Sequence, residues 1–204
     1  MHRMFRLAIQ IAIPFALISA AVSAQMTSGW SKCVGHESPD IVIEGCSEII
    51  EEAHQPPSIL AVAHNNRGVA HKVKGEYDLA LNDYNQAIQL NPNVASHYNN
   101  RGVIYRLMHD YDRAIADYDE AIWLKSDYIP AFYNRALAYT DKGEYDRALE
   151  DFGVVLRFNP KSALALYARG RLLTKKGDTD AGNADITAAK AIDPSIAEQF
   201  DTSP

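Results

Sequence analysis

The sequence predicts an all-α protein, a solenoid of antiparallel helix pairs. Three observations carry that expectation. The chain repeats every 34 residues over about two thirds of its 204-residue length. Each copy contains two stretches with apolar residues at three- and four-residue spacing, as a helix with one buried face requires. Small residues stand at matching places in every copy. One helix pair cannot bury both of its faces, so the copies have to stack.

The chain opens with an address. Arg3 and Arg6 precede an apolar run from Leu7 to Val22, and Val22-Ser23-Ala24 places small residues where a signal peptidase cuts. The run is about 16 residues, short of the roughly 20 that span a bilayer, and contains Pro14. Residues 1–24 are therefore expected to be a signal peptide cleaved after Ala24, leaving no stable membrane insertion. Cleavage removes two arginines and no acid, which takes the net charge from -6 to -8. That balance argues against nucleic acid, whose phosphates demand a basic patch. A composition of 47% hydrophobic and 23% charged residues suits a packed core. Cys33 and Cys46 are too few for a four-cysteine zinc site; they can pair in an oxidising compartment and would stay free in cytosol.

Four copies follow, at 61–94, 95–128, 129–162 and 163–196. Gly68, Gly102, Ala136 and Gly170 share the eighth position, and Ala80, Ala114, Ala148 and Gly182 the twentieth. These small residues let the paired backbones approach, while Tyr84, Tyr118, Phe152 and Ile186 fill the space beside them. Gly75, Gly143 and Gly177 mark the turns, where His109 replaces glycine in the second copy. Pro92, Pro160 and Pro194 end the second helices, with Ser126 in the proline's place.

This pattern resembles the tetratricopeptide repeat (TPR) family, and NNRG-type copies are similar to small exported bacterial members. The resemblance implies a right-handed superhelix whose first helices line a concave groove. Run backwards, the register makes 25–60 a degenerate repeat: Trp30 falls at the position where the family often has tryptophan, and a second helix spans roughly Asp40 to His54. Cys33 and Cys46 then fall where the two helices would touch, which suggests a disulfide. Residues 197–204 are left as a tail, with Phe200 placed to tuck against the fourth copy.

Two polar columns recur in all four copies. Arg67, Arg101, Arg135 and Arg169 share the seventh position, and Asp83, Asp117, Asp151 and Asp185 the twenty-third. Equal numbers of both signs favour a structural ladder, with each arginine meeting the aspartate of the preceding copy, as Asp83 with Arg101. The sharper alternative is a basic strip for an acidic ligand. Asn66, Asn100 and Asn134 share the sixth position, with Asn65 and Asn99 beside the first two. The resemblance turns these positions toward a ligand, and an amide can hold a peptide backbone; local helix–helix hydrogen bonds are the other reading. Arg106, Tyr133, Tyr167, Arg171 and Lys175 complete the expected peptide-binding set as a mixed aromatic and basic lining. The clamp with which some TPR grooves take chaperone C-terminal carboxylates is not matched. Its places hold Asn65, Val69, Asn100, Pro130 and Asn134, of which Asn100 alone fits.

No catalytic residue, metal site or cofactor is expected. His64 and His71 lie seven apart, roughly 10 Å along a helix, too far to share a metal directly. They occupy positions held elsewhere by aromatic residues, which makes them packing residues. The expected function is protein–protein interaction in a bacterial-type envelope, periplasmic or secreted, through an extended partner segment in the groove. The alternatives are a self-assembling structural subunit, a homo-oligomer formed through the C-terminal end, and an accessory subunit of an envelope enzyme.

Overall fold

A computed structural model describes residues 29–35 and 37–202. The expected signal peptide lies outside them. Residues 29–34 are helical (α1), followed by α2 (Pro39–Glu51), α3 (Pro57–Val73), α4 (Tyr77–Leu90), α5 (Ala95–Leu107) and α6 (Tyr111–Leu124). Then come α7 (Ile129–Lys142), α8 (Tyr145–Phe158), α9 (Ala163–Lys176), α10 (Thr179–Ile192) and α11 (Ile196–Thr202). Successive helices from α2 to α10 pack on one another as antiparallel pairs. The first helices α3, α5, α7 and α9 also touch each other, which no two second helices do among the described residues. The first helices therefore form the crowded inner layer, and the array curves around them.

The repeated small residues set the pair geometry. Alanines 80, 87, 114, 121, 136 and 148 are fully buried beside Tyr84, Tyr118 and Phe152. A Cβ on Gly68 would stand 2.8 Å from the Tyr84 ring, and one on Gly102 equally close to Tyr118. Each tyrosine ring thus fills the volume its glycine vacates, while the slimmer Phe152 goes with Ala136. In the fourth copy Gly170 and Gly182 face each other, 2.7 Å from a Cβ on either to the other's carbonyl oxygen.

Turns follow the chemistry of their residues. Gly75, Gly143 and Gly177 take φ of 75°, 88° and 97°, and His109 takes the same left-handed region at 60°. Asp110, Ser162 and Asp178 cap α6, α9 and α10 by accepting from backbone N–H groups three residues on. Pro39 starts α2 instead of merely interrupting a helix, as its fixed φ suits the first turn. That helix stops at Glu51, three residues short of the expected end, and leaves Ala53 exposed. Cys33 and Cys46 are joined by a disulfide, buried with Ile49 and Ala63 at the α1–α2–α3 junction. Among the described residues no helix is long and apolar enough to cross a membrane.

Candidate functional site

The arginine and aspartate columns pair within copies. Arg67 with Asp83, Arg101 with Asp117, Arg135 with Asp151 and Arg169 with Asp185 each make two hydrogen bonds of 2.6–2.9 Å across 16 residues. The expected pairing with the preceding copy, Asp83 with Arg101, is thereby corrected. The seventh and twenty-third positions face each other across one antiparallel pair, so Nε and Nη2 grip their own aspartate. Only Nη1 reaches back, to Asn85 from Arg101 and to Asp119 from Arg135. Aromatic rings at the fourth and eleventh positions flank the guanidinium: Tyr98 and Tyr105 around Arg101, Phe132 and Tyr139 around Arg135. In the first copy His64 and His71 take those places and bond to carboxylates. His64 Nδ1 lies 2.9 Å from Asp83 and His71 Nδ1 2.6 Å from Glu76. Burial alone would raise the Asp83 pKa, but the bonds from His64 and Arg67 hold it below the ordinary carboxylate value.

The asparagines form one directed chain of amides. Asn134 Nδ2 donates to Asn99 Oδ1 (2.9 Å), Asn99 to Asn100 (3.4 Å), Asn100 to Asn65 (3.0 Å), Asn65 to Asn66 (3.2 Å), and Asn66 to the Cys33 carbonyl (3.2 Å). The links between copies donate toward the N-terminal end of the array and tie α7 to α5 and α5 to α3, while the two links within a helix pass from the fifth position to the sixth. The chain starts at Asn134 because the fifth position of its own copy is Tyr133, which supplies no amide.

Beyond that point the inner layer opens into a groove of about 900 Å³. Its middle is α7, with Tyr133, Asn134, Leu137 and Asp141; α5 contributes Arg106 and α9 contributes Arg171, Leu172 and Lys175. Tyr133 stands edge-on to Phe152, ring centres 5.9 Å apart, and burial pushes its hydroxyl pKa up to about 12. Arg106 is held to Asp141 at 2.8 Å, while its Nε is buried without a hydrogen-bond partner among the described residues. Arg171 makes no ion pair among the described residues, and Lys175 sits 5.0 Å above the Tyr145 ring. The groove thus carries two cations that no acid neutralises among the described residues, on a chain of net charge -6.

Of the residues expected from the sequence to bind peptide, Arg106, Tyr133, Asn134, Arg171 and Lys175 meet in this groove. Asn65, Asn66, Asn99 and Asn100 lie outside its lining and are engaged in the amide chain. Tyr167 is also outside, turned onto Phe200 with ring centres 4.9 Å apart. Leu137, Asp141 and Leu164 also line the groove, from the ninth, thirteenth and second positions of their copies, so the register was enough to find them. Phe200 lies beyond the repeats, and no periodicity points to it. Among the described residues no three His, Cys, Asp or Glu side chains are grouped to hold a metal.

Family models described as tetratricopeptide repeat match residues 61–94, 95–128 and 133–195. The chain belongs to the tetratricopeptide repeat family. Solved structures of similar fold include MamA 41-end from Desulfovibrio magneticus RS-1, at 17% identity and TM-score 0.72, covering 85% of this chain and 95% of that one. YrrB, described as a TPR protein with an unusual peptide-binding site, aligns at 18% identity and TM-score 0.62, covering 94% and 90%. The first TPR of Spaghetti (RPAP3), bound to the HSP90 peptide SRMEEVD, aligns at 22% identity and TM-score 0.57, covering 59% and 95%. Likeness at these identities establishes the fold. No curated protein matches the sequence. TPR arrays typically mediate protein or peptide binding through a concave helical groove, and this chain is a module of that kind.

Proposed function

We propose that the chain is an exported TPR module that holds an extended segment of a partner protein in the groove between α5 and α9. The observation that carries this reading is the groove itself: an aromatic and aliphatic floor, the Oδ1 of Asn134, and Arg171 and Lys175, which make no ion pair among the described residues. An extended peptide there gains apolar contact from Tyr133 and Leu137 and charge complementarity from α9. Export is supported by residues 1–24 as sequence and by the Cys33–Cys46 bond, which persists in an oxidising compartment.

Affinity capture from an envelope fraction tests the reading, with the mature protein, Tyr133→Ala and Arg171→Glu side by side. A partner held by the wild type and lost from both variants, with helicity unchanged, identifies the groove as the site. Undiminished capture by both variants moves the site elsewhere. The mass of the protein recovered from the envelope checks export: a chain beginning at Gln25 is expected, and an intact N-terminus would refute cleavage.

A further inference from the structure

The far end of the groove already holds a side chain. Helix α11 packs on α9 and α10, rooted by Ile196, which is buried with Leu156, Leu166 and Ala189. One turn on, Phe200 packs at a tilt against Tyr167, their ring planes 50° apart, touches two core clusters and joins the groove lining with Arg171, Leu172 and Lys175. Nothing in the 34-residue period requires this residue, for the last copy ends at 196. Phe200 is bracketed in the sequence by Glu198 and Asp201. Phe200 thus shares the groove lining with aromatic residues and with Arg171 and Lys175, which make no ion pair among the described residues.

We propose that the C-terminal segment is an intramolecular placeholder, and that the groove's partner presents the same chemistry: an extended segment with a bulky aromatic side chain between carboxylates, which displaces Phe200. This rests on the groove reading above and adds the ligand class and a built-in competitor. A seven-residue helix has little stability of its own, so α11 stays docked mainly through Ile196 and Phe200, and its outer end is the part most readily released. Its tether gives it an effective concentration in the millimolar range. A partner segment binds only by outcompeting that contact, which excludes weak acidic peptides and admits those with an equivalent aromatic anchor.

The test uses the full mature chain and a fluorescent synthetic peptide of residues 195–204. Phe200→Ala is expected to bind this peptide about tenfold or more tightly than the wild type, because the internal competitor is gone. Peptide with lysine in place of Glu198 and Asp201 is expected to bind at least about tenfold more weakly, as is unaltered peptide to a Phe200→Ala chain that also carries Arg171→Glu and Lys175→Glu. Because Phe200→Ala also removes one of the two anchors of α11, Phe200→Trp supplies a second readout in which the aromatic anchor is kept. Its emission, corrected for the wild type's Trp30 and Trp123, should shift to the red when peptide is added in excess. Equal affinity of wild type and Phe200→Ala, indifference to charge reversal, or an unmoved emission would each overturn the proposal. So would a wild-type mass that doubles with concentration and stays single in Phe200→Ala, which would seat the segment in a second copy's groove. If capture of an envelope partner depends on Tyr133 while the peptide binds no variant, the groove reading stands and the placeholder falls.

Discussion

Arg101 grips Asp117 with bonds of 2.7 and 2.8 Å between the rings of Tyr98 and Tyr105. Asp117 is 6% exposed, and burial pushes its carboxyl pKa up against the pull of the guanidinium. Removing the arginine strands a buried carboxylate. Arg101→Met should therefore cost about 3 kcal/mol in urea unfolding, and adding Asp117→Leu should recover most of it. Lost binding with unchanged stability would instead assign the column to a ligand. His97 is a second residue with a readable consequence. It stands where the other copies have Ala63, Ala131 and Ala165, it is buried, and burial lowers its pKa from 6.5 against a bond to the Asn91 carbonyl. The unfolded chain then takes up the proton first. The stability contribution is fully present above pH 6.5 and is lost as pH falls from there through the folded pKa. Melting temperature should drop across that window, and His97→Leu should flatten the drop; an identical pH profile for the two proteins would remove His97 as the cause. Both columns were legible in the sequence, and equal signs on one period suggested pairing. The partner was not legible, because it depends on which guanidinium nitrogens face inward once the pair has formed.

Each helix pair depends on its turn. In the second copy His109 occupies the left-handed region at φ 60°, where the first, third and fourth copies place glycine. His109→Gly should raise stability by about 0.5–1 kcal/mol, with relief of that strain outweighing the extra freedom of the unfolded chain. A lower melting temperature would mean that the bond from His109 Nδ1 to the Tyr111 hydroxyl, 2.8 Å, outweighs the strain. At the other end of the chain the disulfide joins α1 to α2 across a sequence separation of 13. Replacing both cysteines by serine should cost about 2–3 kcal/mol, and reducing agent should shift the wild-type melt while leaving the variant unmoved. Titration of the unreduced, denatured mature protein should find no free thiol. The register placed Cys33 and Cys46 at one contact, yet overran the helix between Cys46 and His54. Periodicity names faces, whereas the end of α2 depends on local backbone that a decayed repeat no longer encodes.

Over the whole array the amide chain links the first three copies on the inner face, and the Arg106–Asp141 pair ties the second copy to the third. Asn99→Ala breaks the amide chain in the middle, leaving Asn134 Nδ2 and Asn100 Oδ1 without these partners. The urea midpoint should fall by the equivalent of about 1–2 kcal/mol, with groove binding preserved, since Asn99 lies outside the lining. Weakened binding at unchanged stability would return the asparagines to the ligand. The sequence by itself determined the helix pairs, the stacking, the turn positions and the column of buried small residues. These follow from spacing along one chain, and four copies state the same spacing. Tertiary structure alone decided that the asparagines bond to one another, that the arginines hold their own aspartates, and that Phe200 enters the groove. Those outcomes depend on distances between side chains of neighbouring copies, or on a tail outside the period. A repeat pattern specifies which face a residue occupies, but the partner it meets there is chosen by the curvature and close packing of the assembled layer.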